Sequence, residues 1–464
     1  MSTPYASTNP NNNANRKERI AVIGGGIAGL SFAKHLTASG GSTNFECTVF
    51  DTGRLRPGGR CSSRQVGDQP KEDSDATYPI LSKHIIDHAA QILSVPDEKG
   101  YEAFQSQVDQ WEVDGVVRKY PEGAVCDILT DRKYGKPFYL RSINSKNDKP
   151  MYYGANGMGS IPADLAKSGG NYDIKQDVWV SPSNGVKYQR GDKQNWKLQV
   201  NGRQLGTYDQ VIIAHNGKCA DRLMSKTPAK DLHSLLRVNF SANVPKWGGK
   251  RMTLNSIYSL AIAVKKNSSL SKALPANKFV CGIVKNEPTL RLISCNSRKY
   301  ENGNSENEDV EVWTILSSAT FAKKHKGPQE FLPPDTVANV TSLMLEAVEK
   351  SLGLEASSLA QDVIESRVQL WGAAVPLNVW KADDTEGDSD GSFLYDGEFG
   401  AGVCGDWLLQ PSIAGAWESG RRLAEFMKGQ SDHPSSAKQK LGLAPNGKFE
   451  VSEQANKAGI GALR

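Results

Sequence analysis

The sequence predicts an α/β fold in two parts. One is a discontinuous, Rossmann-type domain with a doubly wound sheet; the other is an α+β domain built around its own sheet. Three observations carry the prediction. A strand-like run, "RIAVI", passes through "GGGIAG" into a helix-like run. A second apolar run, "FECTVF", leads into Asp51, about twenty residues beyond those glycines. Near the other end, "GAGVCGDW" and "SIAGAWESGRRLAEFMKG" again set a strand, a glycine and a helix in series.

At 464 residues the chain exceeds one ordinary core, so two domains are expected. Apolar residues make up 38%, enough to fill them. A net charge of +5 with 23% charged residues is too mild a balance to point to nucleic acid or an anionic membrane. No apolar stretch reaches the roughly 18 residues that span a bilayer. Seven cysteines are scattered without CxxC or a histidine at ligand spacing. That pattern reads as reduced thiols, an intracellular home and no metal centre.

In chain order, residues 1–16 are polar and lack the apolar core of a secretory signal, so they read as a disordered arm. The first strand then meets Gly24-Gly25-Gly26-Ile27-Ala28-Gly29. Gly24 permits a tight turn, Gly26 leaves room for a pyrophosphate, and Gly29 lets the helix approach the strand. The helix start directs unpaired N–H groups and a positive dipole end at the phosphates. Asp51 is placed to accept hydrogen bonds from a ribose hydroxyl. Together these features indicate a bound dinucleotide. "RPGGRCSSR" follows, and its Arg60 is a candidate to lie across the pyrophosphate.

Polar stretches at 67–79, 298–311 and 381–392 read as surface loops. "QVIIAHN", "SLAIAV", "KFVCGIV", "LRLISC" and "VEVWTILS" read as strands, and "VANVTSLMLEAVEKSLG" as a helix. At the end of a later strand Asp406 offers a carboxylate to a chain of hydroxyls, and a second helix start near Ser412 faces an anionic ligand edge. The nucleotide domain is assigned to 17–66, 156–218 and 392–428, and the substrate domain to 67–155 and 219–391. Residues 429–464 lack sustained periodicity and read as a flexible tail.

As a set, "GGGIAGL", "GGRCSSR", "DHAAQ", "GANGMGSIPADLA", "DQVIIAHN" and "CGDW" with "PSIAGAWESG" resemble the flavin amine oxidase superfamily, most closely its renalase-like branch. The motifs run in order from residue 19 to about residue 427. The resemblance implies FAD, with its adenosine end at the first motif and its ring between the domains. Residue by residue, it assigns Gly24, Gly26 and Gly29 to the pyrophosphate loop and Asp51 to the adenosine ribose. Gly59, Arg60 and Ser62 match the second flavin motif, and Asp406 the acid facing ribitol and pyrophosphate. Ser412, Ile413 and Ala416 match the helix start beneath the ring, and Val178 the strand residue whose backbone meets adenine. The Gly-Gly-Cys-Tyr segment that bonds flavin covalently in some amine oxidases is missing, so non-covalent FAD is expected.

Flavin oxidation asks the protein to position a donor and keep the site dry, so no catalytic triad is expected. His88 in "IIDHAAQ" and Asn296 in "RLISCNSRK" are the catalytic candidates, with Asp87, Gln91 and Ser297 beside them. His88 reads equally as a buried histidine satisfied by backbone. His215 and Asn216, after a strand, are placed at the cleft or are structural. Trp313, Trp371 and Trp380 read as core or cleft walls. The function implied is an FAD-dependent oxidoreductase that oxidises a small molecule by hydride transfer, passing electrons to oxygen or another acceptor. A dihydronicotinamide-type donor is favoured. An amine oxidase of the same superfamily and a non-catalytic flavin-binding interaction protein stay open. The compartment expected is the cytoplasm; the likeness of "AHNGKC" to plant-type sequences leaves a plastid form open, although the N-terminal residues do not read as a plastid address.

Overall fold

A computed structural model describes residues 16–38, 44–68, 78–130, 137–167, 172–190, 195–300, 309–329, 331–383, 391–432 and 439–452. The arm expected over residues 1–16 lies outside these residues except for Arg16, which pairs with Asp209 at 2.7 Å. Most of the acidic stretch 67–79 lies outside them too. No helix among the described residues is long and apolar enough to cross a membrane.

The chain enters a seven-stranded sheet through β1 (Glu18–Ile23), turns into α1 (Ile27–Thr37) and returns as β2 (Phe45–Phe50). β1 is buried on both faces, as a central parallel strand must be, and its "IAVI" carries no polar side chain. β2 pairs parallel to one side of β1, and Gln210–Ile213 to the other. Tyr172–Lys175 and Ala401–Val403 extend the parallel set at either end, and Leu394–Asp396 adds an antiparallel strand. Strand order therefore reverses at β1. In such sheets ligands bind at this switch point, outside the carboxyl ends of the strands.

A short antiparallel ladder of β3 (Ser63–Arg64) and β4 (Ile86–Asp87) leads away from this domain. The second sheet also has seven strands, all antiparallel but for one pair, and its edge strand is β5 (Val363–Trp371). Next to that edge, Ile257–Lys265 is an apolar run buried almost throughout. The helix Pro334–Leu352 covers one face, packing Val340, Met344 and Val348 onto Ile262, Trp313 and Ile315. The chain then returns to the first sheet and ends its last long helix, α2, at Ile413–Asp432. Gly420 lets α2 cross α1 closely: a Cβ there would fall 2.2 Å from the Ala28 carbonyl oxygen.

Three stretches depart from expectation. The described ends of 298–311, read as a surface loop, are a helix end and a strand start, with Lys299, Tyr300 and Glu311 buried. Residues 219–254, expected with the second domain, pack on the first sheet: Leu223, Leu232, Leu236, Met252 and Leu254 share a buried cluster with Val211 and Ile213. Their two short helices cover a sheet face that would otherwise be bare. The flexible tail expected from residue 429 is corrected in its described part. Lys440–Leu441 pairs with Tyr395 and Asp396 at the sheet edge, and Lys448–Val451 pairs with Asn378–Lys381. Phe449 is buried against Trp380. Strands of two and four residues carry too few side chains to show a period, and tertiary pairing alone orders them. Residues 433–438 and 453–464 lie outside the described residues.

Candidate functional site

The carboxyl ends of four parallel strands meet at one place. Ile23 and Gly24 after β1, Asp51 after β2, Ala214 and His215 after Gln210–Ile213, and Cys404 and Gly405 after Ala401–Val403 line a cavity of about 310 Å³. The three glycines of the first motif serve it differently. Gly24 has φ +119°, and a Cβ there would meet the Ala214 carbonyl oxygen at 2.8 Å, so only glycine fits. A Cβ on Gly29 would fall 2.0 Å from the Gly24 carbonyl oxygen; its bareness lets α1 pack against the turn. Gly29 does not itself line the cavity. Gly26 has φ −78°, open to any residue, and a Cβ there would meet nothing within 4 Å. Its missing side chain leaves space in the cavity.

Asp51 is buried, and its two carboxylate oxygens each accept a backbone N–H at 3.1 Å, from Gly25 and from Gly53. Burial raises its carboxyl above the usual range, and the N–H groups of Gly25, Gly53 and Thr52 only partly offset that. Each oxygen keeps a further lone pair for a hydroxyl donor. Val178 lines the same end and is tied to it by its N–H, which donates to the Asp51 carbonyl at 2.9 Å.

At the other end stand the second and last motifs. The turn Gly59–Cys61 begins with Gly59 at φ +55° and projects Arg60 across the cavity. The Arg60 guanidinium donates to Asp406 at 2.9 Å and to the Ala374 carbonyl at 2.7 Å. Two residues expected to face one ligand therefore face each other. Ser412 accepts the Gly415 N–H at 2.9 Å and so caps the start of α2, where Ile413 and Ala416 line the cavity. Ser62 lies outside the lining; its hydroxyl donates to the Gly59 carbonyl at 2.7 Å and is 3.2 Å from His88 Nε2.

The structure separates the two catalytic candidates from the cavity. Asn296 does not line it. It is buried, its side-chain oxygen accepts the Asp87 N–H at 3.1 Å, and its amide donates to Thr314 at 2.9 Å. Ser297 is occupied by the Val312 N–H at 2.8 Å. His88 also lies outside the lining, stacked on Trp371, which does line it (centroids 5.4 Å apart, planes at 17°). Asn296 belongs instead to a buried polar knot about Asp87. Lys299 donates to Asp87 at 2.6 Å and to Gln91 at 2.8 Å. Ser63 and the Met158 N–H bind the second carboxylate oxygen at 2.6 and 2.8 Å, and Tyr300 donates to the first. The knot joins β3 and β4 to the second sheet, a pairing of residues over two hundred apart that no local pattern announces.

Several lining residues escaped the motif reading. Gly25 holds Asp51, and a Cβ there would fall 2.7 Å from the Asp51 side chain. Trp179 and Trp407 line the cavity too, as do Cys61, Cys219 and Cys404. His215 lines the cavity, with Nδ1 buried and without a hydrogen-bond partner among the described residues. Burial pulls its pKa down to about 4, so the ring is neutral. Trp407 Nε1 is likewise buried without a partner. Trp313 and Trp380 are core residues.

Residues 22–106 match the family model of the NAD(P)-binding Rossmann-like domain. Among solved structures, the fold is similar to that of a proposed protoporphyrinogen oxidase from Exiguobacterium sp. 255-15. The identity is 10% and the TM-score 0.54, over 89% of this chain and 99% of that one. It is also similar to wild-type putrescine oxidase bound to putrescine, at 10% identity and a TM-score of 0.50, again over 89% and 99% of the two chains. The chain thus carries a Rossmann-like domain within a two-part α/β fold that it shares with these two proteins.

Proposed function

We propose that the cavity holds FAD without a covalent bond and that the protein is an FAD-dependent oxidoreductase of small molecules. The observation that carries this is the open cradle at Gly26, at the sheet's switch point, where the backbone alone faces the cavity. The buried, unpartnered His215 Nδ1 and Trp407 Nε1 also fit a polar occupant. Gly24, Gly26, Asp51 and Val178 would hold the adenosine half. Arg60 and Asp406 would hold the pyrophosphate and ribitol, and Ser412, Ile413 and Ala416 the ring end, with Gly29, Gly59 and Ser62 shaping the turns. Bound there, FAD supplies a hydride acceptor.

The chain's own part is to orient the donor and exclude water, and Trp371, Ile413 and Ala416 form apolar wall at that end. Of the three thiols that line the cavity, Cys61 and Cys404 are buried, and burial raises their pKa values, so neither is a ready nucleophile toward a flavin; the third, Cys219, is exposed. The likeness in fold to putrescine oxidase supports the reaction class. Purified protein is expected to show flavin absorption, and acid precipitation to leave the colour in the supernatant. A coloured pellet would refute the non-covalent bond, and a colourless protein that cannot be reconstituted would refute the flavin.

The donor favoured is of dihydronicotinamide type. Such a donor releases hydride without prior deprotonation, whereas an ammonium must first lose a proton in a site with acids or an aromatic cage. The carboxylates among the described lining residues, Asp51 and Asp406, are both engaged already. Amine oxidation is the second reading, favoured by the fold shared with putrescine oxidase. Anaerobic stopped-flow bleaching against both donor classes separates them. Dihydronicotinamides are expected to bleach the flavin faster, and bleaching by amines alone would reverse the ranking.

A further inference from the structure

A cluster beside the cavity has no part in holding a flavin. In the β3–β4 ladder Arg64 stands opposite Ile86. Alternation sets His88 on the same face as Ile86 and Arg64, away from the Asp87 knot. β5 faces them. Its Arg367 and Trp371 are four residues apart and so lie on one side of the strand. Trp371 stacks on His88, and Arg367 lies over the Tyr78 ring at 4.8 Å.

Arg64 and Arg367 are half-buried, and neither has a hydrogen-bond or carboxylate partner among the described residues. The carboxylates nearby are committed. Asp68 takes a two-pronged bond from Arg56 at 2.6 and 2.7 Å and the Gln65 N–H at 2.8 Å. Glu365 takes the N–H groups of Ile80 and Leu81 at 2.8 and 3.1 Å. Burial, then the charge of Arg367, brings Arg64 down to about 10, which leaves it protonated at neutral pH. Burial and the charge of Arg64 hold His88 down at about 3, so the ring adds no third charge. His88 Nδ1 is itself buried without a partner. Two half-buried guanidiniums that feel each other's charge, offset near Arg64 only by the already paired Asp68, are an unfavourable arrangement unless an anion completes it.

We propose that Arg64 and Arg367 seat the anionic group, a carboxylate or a phosphate, of the molecule oxidised at this site, with Trp371 as the wall between that seat and the cavity. That this molecule is oxidised rests on the flavin reading; the anion seat does not. Planar guanidiniums suit either group through paired N–H bonds. The same charges repel a polyamine, which sharpens the choice between the two donor classes.

The test uses the purified full-length protein and two probes, inorganic phosphate and acetate. Trp371 is one of nine tryptophans, so a change in tryptophan fluorescence is assigned to it by its loss in Trp371→Phe, and flavin absorption is followed in parallel. At least one probe is expected to give a saturable fluorescence change, and which of them binds more tightly identifies the group. Arg64→Gln and Arg367→Gln are each expected to weaken that binding by about tenfold or more, with flavin content unchanged. Arg64→Lys and Arg367→Lys, which keep the charge, should retain part of it. No saturable response to either anion in the wild type overturns the proposal, as does equal affinity in the glutamine variants. A colourless protein that still binds the anion refutes the flavin and leaves the seat standing, so the two failures are distinguishable.

Discussion

Gly26→Val is expected to weaken flavin binding about a hundredfold while the protein stays folded. A Cβ at this position meets no protein atom within 4 Å, and its φ of −78° suits any residue. The chain alone therefore accepts the branched side chain, and only a ligand lying on the loop meets it. Overpacking a deformable core costs about 1–3 kcal/mol. Against a pyrophosphate pinned by backbone N–H groups the loss should reach the top of that range, about a hundredfold in affinity. The measurement is flavin content and reconstitution by titration, beside a thermal melt of the apoprotein. Gly29→Ala is the contrast: its Cβ would fall 2.0 Å from the Gly24 carbonyl oxygen, so it should damage the fold itself. Full flavin occupancy in Gly26→Val would overturn the placement of the cofactor.

Lys299→Met should be among the most destabilising single changes in the chain. Lys299 and Asp87 are both fully buried, and their 2.6 Å contact is the centre of the knot between the two sheets. Removing the ammonium leaves a buried carboxylate without its counter-charge, a loss of about 3–5 kcal/mol. The pH dependence gives a second readout. Burial by itself raises the Asp87 carboxyl, but the charge of Lys299 and the bonds from Lys299, Ser63 and Tyr300 bring it below its ordinary value. A carboxyl lowered in the folded state adds stability above its unfolded pKa and loses it as pH falls through the folded one. Wild-type stability should therefore decline below about pH 4. In the variant, protonation relieves the unpaired carboxylate, so the gap in melting temperature should narrow on acidification. An unchanged melt at neutral pH would show that the knot does not hold the sheets together.

The glycine turn that lines the cavity was legible in the sequence because its determinants are local. A tight turn, a close helix and a carboxylate at the next strand's end fall within about thirty residues, and Gly24, Gly29 and Asp51 occupy those places for steric and hydrogen-bonding reasons. The parallel sheet was legible too, since a strand buried on both faces must be apolar throughout, as "IAVI" is. What the sequence could not determine depends on residues far apart in the chain. Arg60 turned toward Asp406, 346 residues away, and Asn296 went into the knot about Asp87 rather than to the cavity. The last strands show no period because their order comes from pairing with Tyr395 and Trp380. Arg64 and Arg367 lie about three hundred residues apart, so no local pattern relates them. A local motif constrains its own backbone, and so its ligand. Which side chains share a buried space is decided only when the sheets pack, because a buried charge or amide takes whatever partner lies within about 3 Å.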